Sequence, residues 1–222
     1  MKPRRTRSFL GLQLTAGLIV FTTMTILVWQ ISEGIRGREP LTITDARLSS
    51  WLHSHHTPPI TTTMSAITSL GSTAVGTAIA AAFGIYFIFR RRFYWLTAFM
   101  SSVFGGMLLN RLLKYAFHRP RPFFDDPLLA FSGYSFPSGH TMLATVLYGV
   151  VAAYFFTTTS DWWRRALIVM AAIFLIAMVG FSRIYLGAHY LSDVLGAVAE
   201  GLAWLSLCLI VVYAVWRQRI SS

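Results

Sequence analysis

The stretch Ser182-Arg183-Ile184-Tyr185-Leu186-Gly187-Ala188-His189-Tyr190-Leu191-Ser192-Asp193 sets an arginine, a histidine and an aspartate between two long apolar runs. His189 and Asp193 are four residues apart, so on one helical turn their side chains face the same way and can meet. A carboxylate on one imidazole nitrogen fixes the tautomer. It leaves the other nitrogen free to attack or to take a proton. Arg183 lies six residues before His189, and its planar fork suits a pair of anionic oxygens. The same spacing also serves a local structural hydrogen bond, and this stretch alone does not separate the two.

Two further stretches add to it. Lys114 is followed by six residues and then Arg121-Pro122, two cations that would lie about two turns apart on a helix, although Pro120 and Pro122 must bend the chain. Snorkelling of the cations at a membrane boundary would also explain them. Pro137-Ser138-Gly139-His140 precedes an apolar run. Ser138 is a good N-cap, Gly139 allows close backbone approach, and free N–H groups at a helix start favour a phosphate. His140 would sit beside that anion, placed to donate a proton; ordinary capping accounts for Ser138 but not for the histidine. Together the three stretches offer Lys114, Arg121 and Arg183 as cations, a backbone anion nest, and two histidines, one with a carboxylate. One phosphate site with a histidine nucleophile and a histidine acid uses all of them. Asp193 is the only acid in the three stretches, too few carboxylates for a two-metal phosphatase.

The elements that must position these residues are apolar. Of 222 residues, 55% are hydrophobic and 12% charged, about half the usual charged share. The apolar residues come in blocks of bilayer-crossing length. We read six spans, near 9–31, 60–89, 93–113, 140–156, 166–181 and 194–216, in one all-α membrane domain covering 1–222. The first span is too long for a signal-peptide core and is expected to be retained. The net charge of +11 does not point to nucleic acid, because the arginines cluster at span ends and no soluble basic domain exists. Cys208 is the single cysteine, so neither an intrachain disulfide nor a Cys-based metal site is expected. Between the first two spans, Ile43 to His53 reads as a short amphipathic helix on the membrane surface, and His53, His55 and His56 as part of a solvated loop.

Six spans put both termini on one side. That side collects eleven basic residues: Lys2, Arg4, Arg5 and Arg7, the turns Arg90–Arg92 and Arg164–Arg165, and Arg217 and Arg219. The other side collects eight: Arg36, Arg38, Arg47, Arg111, Lys114, Arg119, Arg121 and Arg183. The bias predicts cytoplasmic termini in a multi-pass protein of the cell membrane. The three chemical stretches then face outward.

Lys-x6-Arg-Pro at 114–122, Pro-Ser-Gly-His at 137–140 and Ser-Arg-x5-His-x3-Asp at 182–193 resemble, in order and spacing, the three motifs of the type 2 phosphatidic acid phosphatase (PAP2) family. The resemblance implies a six-helix bundle with its active site at the outer membrane boundary. It implies that His189 attacks phosphorus and forms a phosphohistidine, that Asp193 orients it, and that His140 protonates the leaving oxygen. Lys114, Arg121, Arg183, Ser138 and the Gly139 backbone would hold the phosphoryl oxygens, with no metal or other cofactor. His118 and Arg119 would be loop residues, or would contact a second phosphate. The implied activity is a hydrolase acting on lipid phosphates or diphosphates; bacterial members of this size include undecaprenyl diphosphate and phosphatidylglycerophosphate phosphatases. The related vanadium haloperoxidases share such a site but are soluble, unlike a six-span chain. A lipid phosphotransferase would use the same site. A lipid-phosphate transport protein would use the same cations without chemistry, and Glu200 inside the sixth span suits that reading.

Overall fold

The computed structural model describes residues 4–37, 40–128 and 131–221. Lys2 and Arg38, used above in the topology argument, lie outside them, as do Glu39 and Ser222. Eight helices follow one another: α1 (Arg4–Arg36), α2 (Pro40–Ser54), α3 (Pro58–Ser69), α4 (Thr73–Phe89), α5 (Phe93–Phe117), α6 (Gly139–Thr158), α7 (Trp162–Tyr185) and α8 (Leu191–Ser221). Among the described residues, six segments are long and apolar enough to cross a membrane: α1 from Leu14, α3 and α4 together, α5, α6, α7, and α8 to Trp216. Large apolar side chains such as Ile19, Ile85, Leu108 and Phe174 face outward along them. The chain is a multi-pass membrane protein with an all-helical fold.

α6 and α8 form the centre. α6 packs against α4, α5, α7 and α8, while α1 lies on the outside of α8. Lipid offers no water to expel between helices, so close packing carries the association. A Cβ on Gly196 of α8 would stand 2.5 Å from the Phe136 ring. That contact brings the start of α8 against the residues just ahead of α6.

The second, third and fifth spans differ from the sequence reading, the fifth running from Trp162 to Tyr185. The second is broken: α3 ends at Ser69 and α4 starts at Thr73, capped by Ser72, whose hydroxyl accepts from Val75 N at 3.3 Å. No proline marks the break. Gly71 sits in it at a close approach, where a Cβ would meet His140 O at 2.8 Å and Val179 at 2.6 Å. The third span runs on to Phe117, so Lys114 lies within its last turn. α2 does form, but its inward face is polar, with Asp45, Ser49 and Leu52 buried. It docks on α7 and α8, while Ile43 and Trp51 face outward.

Candidate active site

The end of α5 starts the site. His118 takes the left-handed conformation (φ 49°), and its N–H bonds Lys114 O at 3.1 Å. Pro120 and Pro122 then keep the chain extended. The described residues after Arg119, up to Pro137, fold back over the cations through main-chain carbonyls. Lys114 Nζ donates to Tyr134 O (2.9 Å) and Ser135 O (3.3 Å). Arg121 Nε donates to Gly133 O at 3.1 Å, and Ser135 N donates to Arg119 O at 2.8 Å.

The start of α6 follows. Ser138 is fully buried and its hydroxyl pairs with Thr141 Oγ1 at 2.9 Å, so it does not cap a backbone N–H as expected. Its own N–H donates to Asp193 O at 3.1 Å. The Gly139 backbone lies beside Lys114 and Asn110. His140 shares a cavity of about 240 Å³ with Lys114, Asn110, Arg111 and Gly139.

The turn between α7 and α8 completes the set. Gly187 reverses the chain at φ 71°, a conformation that costs other residues roughly 1–2 kcal/mol. The Ala188 and His189 N–H groups close back on Arg183 O. Arg183 is buried near the end of α7, donates to Thr68 Oγ1 at 3.0 Å, and lies 4.8 Å over the Phe131 ring. Its Nε is buried with no hydrogen-bond acceptor among the described residues. Ser182 points elsewhere, its hydroxyl on Val179 O.

His189 precedes α8 and is not on its first turn, but Asp193 reaches it. His189 Nδ1 stands 3.5 Å from Asp193 Oδ2 and 3.4 Å from Ser135 Oγ. Ser135 donates to the same carboxylate oxygen in a short hydrogen bond. On the other side, Arg121 Nη1 bonds Ala188 O at 2.7 Å and stands 3.2 Å from His189 Nε2. A guanidinium only donates, so Nε2 is the acceptor and the ring proton sits on Nδ1, toward Asp193. The three stretches therefore interlock: Arg121 on Ala188 O, Ser138 N on Asp193 O, and Lys114 on the carbonyls just before Pro137.

Burial pushes the His189 imidazole down to about 3, with Arg121 and Arg183 acting in the same direction and Asp193 against them. The folded ring thus binds a proton less readily than the unfolded one. Its stabilisation is complete above the unfolded value near 6.5 and is lost as pH falls toward 3. We expect the thermal-inactivation midpoint in detergent to drop between pH 6.5 and 4, with a shallower drop in His189→Gln. Equal slopes for the two proteins would remove His189 as the source.

The PAP2 superfamily profile matches residues 95–217, a segment holding all three stretches. The chain belongs to the PAP2 superfamily. Phosphatidylglycerophosphatase B of Bacillus subtilis (strain 168) is 36% identical over 147 residues, 65% of this chain and 71% of that one. A lipid A 1-phosphatase of Rhizobium johnstonii is 36% identical over 131 residues, 54% of this chain; the match spans about half the length of that enzyme. The crystal structure of a transmembrane PAP2-type phosphatidylglycerolphosphate phosphatase from Bacillus subtilis aligns with TM-score 0.69 and 28% identity. The alignment covers 91% of this chain and 96% of that one. Aquifex aeolicus LpxE shares the fold, with TM-score 0.57, 23% identity, and 77% and 94% coverage.

This PAP2 chain also uses residues that its motifs do not name. Arg119 is in the loop after α5, and its guanidinium is taken up by two carboxylates. It is buried, donating to Asp193 Oδ1 at 2.5 Å and Asp45 Oδ2 at 2.8 Å. Ser135 and Phe131, between the first two motifs, touch the histidine and the arginines. Their only signal is proximity to Pro137-Ser138. The loop histidines are also placed: His53 lies on α2, 3.0 Å from Asp126 and stacked on Phe124, while His55 bonds Trp51 O and His56 bonds His53 O. Glu200 is buried, with Oε2 accepting from Asn110 Nδ2 at 2.9 Å.

Proposed function

We propose that the protein hydrolyses the terminal phosphate of a membrane lipid phosphate or diphosphate at this site. The observation that carries the reading is His189, held by Asp193 and Ser135 on the Nδ1 side while Nε2 faces Arg121. An imidazole with its proton on Nδ1 has a free lone pair on Nε2 for phosphorus. A phosphoryl oxygen takes over the Arg121 donor, and Arg183 Nε supplies a further one. Lys114 keeps one of its three protons for the same group. Nε2 attacks in line and the P–O bond to the lipid breaks. His140 gives its proton to the leaving oxygen, and water then releases phosphate from His189. The Ser138 hydroxyl pairs with Thr141 Oγ1 at 2.9 Å; with Thr141 as the donor of that pair, Ser138 keeps its own proton for a phosphoryl oxygen.

A charged head and an oily tail suit a site where helix ends meet water. Relatives named for phosphatidylglycerophosphate and for lipid A 1-phosphate support a lipid substrate. An outward-facing site would suit undecaprenyl diphosphate as well. The test is phosphate release by purified protein in detergent with EDTA, from undecaprenyl diphosphate, phosphatidylglycerophosphate, phosphatidate and diacylglycerol diphosphate. Release from at least one lipid that depends on His189 supports hydrolysis. No release from any of the four sinks it, leaving phosphotransfer to an acceptor lipid or transport.

The charge bias of eleven against eight basic residues favours cytoplasmic termini and an outward-facing site. A reporter fused after Ser222 should behave as cytoplasmic, and an external signal would invert the topology.

A further inference from the structure

α8 begins with a capping problem. Tyr190 precedes Leu191, and its side chain cannot accept the first helical N–H groups as Ser, Thr, Asp or Asn would. Asp193 solves half of it by reaching back, Oδ2 accepting from Tyr190 N at 2.9 Å, as in a capping box. The other half comes from 147 residues away. Asp45, on α2, accepts from Ser192 N at 3.0 Å through Oδ1 and from the Ser192 hydroxyl through Oδ2. A carboxylate there also suits the positive end of α8.

The same carboxylate holds Arg119. Its Nη2 donates to Asp45 Oδ2 at 2.8 Å, and its Nη1 donates to Asp193 Oδ1 at 2.5 Å and Ser192 Oγ at 2.7 Å. The guanidinium stands 4.4 Å over the Tyr190 ring. Asp45, Ser192 and Asp193 are all essentially inaccessible. Two carboxylates sharing one guanidinium leave one negative charge. Without Asp45, Arg119 and Asp193 would neutralise each other as a pair, and less charge would remain for the imidazole that must become cationic when it is phosphorylated. Asp45 lies ahead of residues 95–217, the part matched by the family profile.

We propose that Asp45 is a positioning residue for the phosphatase reaction: it caps α8 and shares Arg119, so that Asp193 keeps its place and its net charge toward His189. This rests on the phosphatase reading above. Among the described residues, none of the hydrogen bonds of Asp45 involves Lys114, Arg121, Arg183 or His140, so its loss should slow the chemical step without weakening the hold on phosphate.

The test is Asp45→Asn, which keeps the shape but turns an N–H toward Arg119. We expect kcat to fall about 10- to 100-fold, the size seen when an orienting partner is lost, with KM within about threefold and an unchanged size-exclusion profile. Because both act on Asp193, the Asp45→Asn/Arg119→Gln double variant should lose little more than Arg119→Gln alone. Ser192→Ala, a milder change in the same cluster, should lower kcat by about fivefold at constant KM, and it decides the matter if the Asn variant does not fold. A raised KM with normal kcat, fully additive losses, or wild-type kcat in a folded Asp45→Asn protein overturns the inference alone. A wild-type protein without turnover overturns the phosphatase reading and this inference with it.

Discussion

Replacing His189 by alanine should stop turnover, with kcat falling by about 10⁴-fold or more, the scale of losing a nucleophile. The chain should stay folded. The groups around His189 keep other partners: Ser135 keeps Asp193, Arg121 keeps Ala188 O and Gly133 O, and Asp193 keeps Arg119 and Tyr190 N. The cost is the space of one buried ring, of order 2–4 kcal/mol. Substrate binding should survive, because Lys114 and Arg183 do not depend on the imidazole for their contacts. Phosphate release gives the rate, and competition by a non-hydrolysable lipid phosphonate gives the affinity. A rate within tenfold of wild type would remove His189 as nucleophile, whatever happened to binding.

Arg119→Ala should be the most damaging single change to stability away from the histidines. It strips the one cation from between two buried carboxylates, Asp45 and Asp193. Removing one partner of a buried ion pair costs about 3–5 kcal/mol, because the remaining charge is left uncompensated. For a chain of this size the thermal-inactivation midpoint should fall by about 10 °C. Arg119→Lys should recover only part of that, since a point charge cannot bridge both carboxylates as the planar fork does. A midpoint within 2 °C of wild type for Arg119→Ala would mean that the cluster carries no net stability.

The residues legible in the sequence were those whose chemistry is out of place locally. His189, Asp193, Arg183 and Lys114 stand at the ends of apolar runs, where an ionisable side chain needs a reason, and their spacings survive intact in the folded chain. The supporting residues were not legible, because their partners are remote. Arg119 is 74 residues from both Asp45 and Asp193, and nothing near Asp45 in a polar segment distinguishes it from a surface carboxylate. Ser135 looks like any loop serine until the chain folds back over Lys114. The break at residues 70–72 was hidden for a different reason. Its only local signs are Gly71 and Ser72, while the hydropathy on either side continues unbroken, and the close approach of α6 and α7 to Gly71 involves residues remote in sequence.

The cations of the site are tethered largely through carbonyl oxygens of the main chain: those of Gly133, Tyr134 and Ser135, and that of Ala188. A peptide oxygen is the same whatever side chain its residue bears. Substitutions at 133, 134 and 188 that keep the backbone path are therefore invisible to Lys114 and Arg121, whereas a single insertion or deletion between 121 and 133 displaces the Gly133, Tyr134 and Ser135 acceptors at once. The loop over the site can thus drift in composition without disturbing its cations, but it has little freedom to change its length.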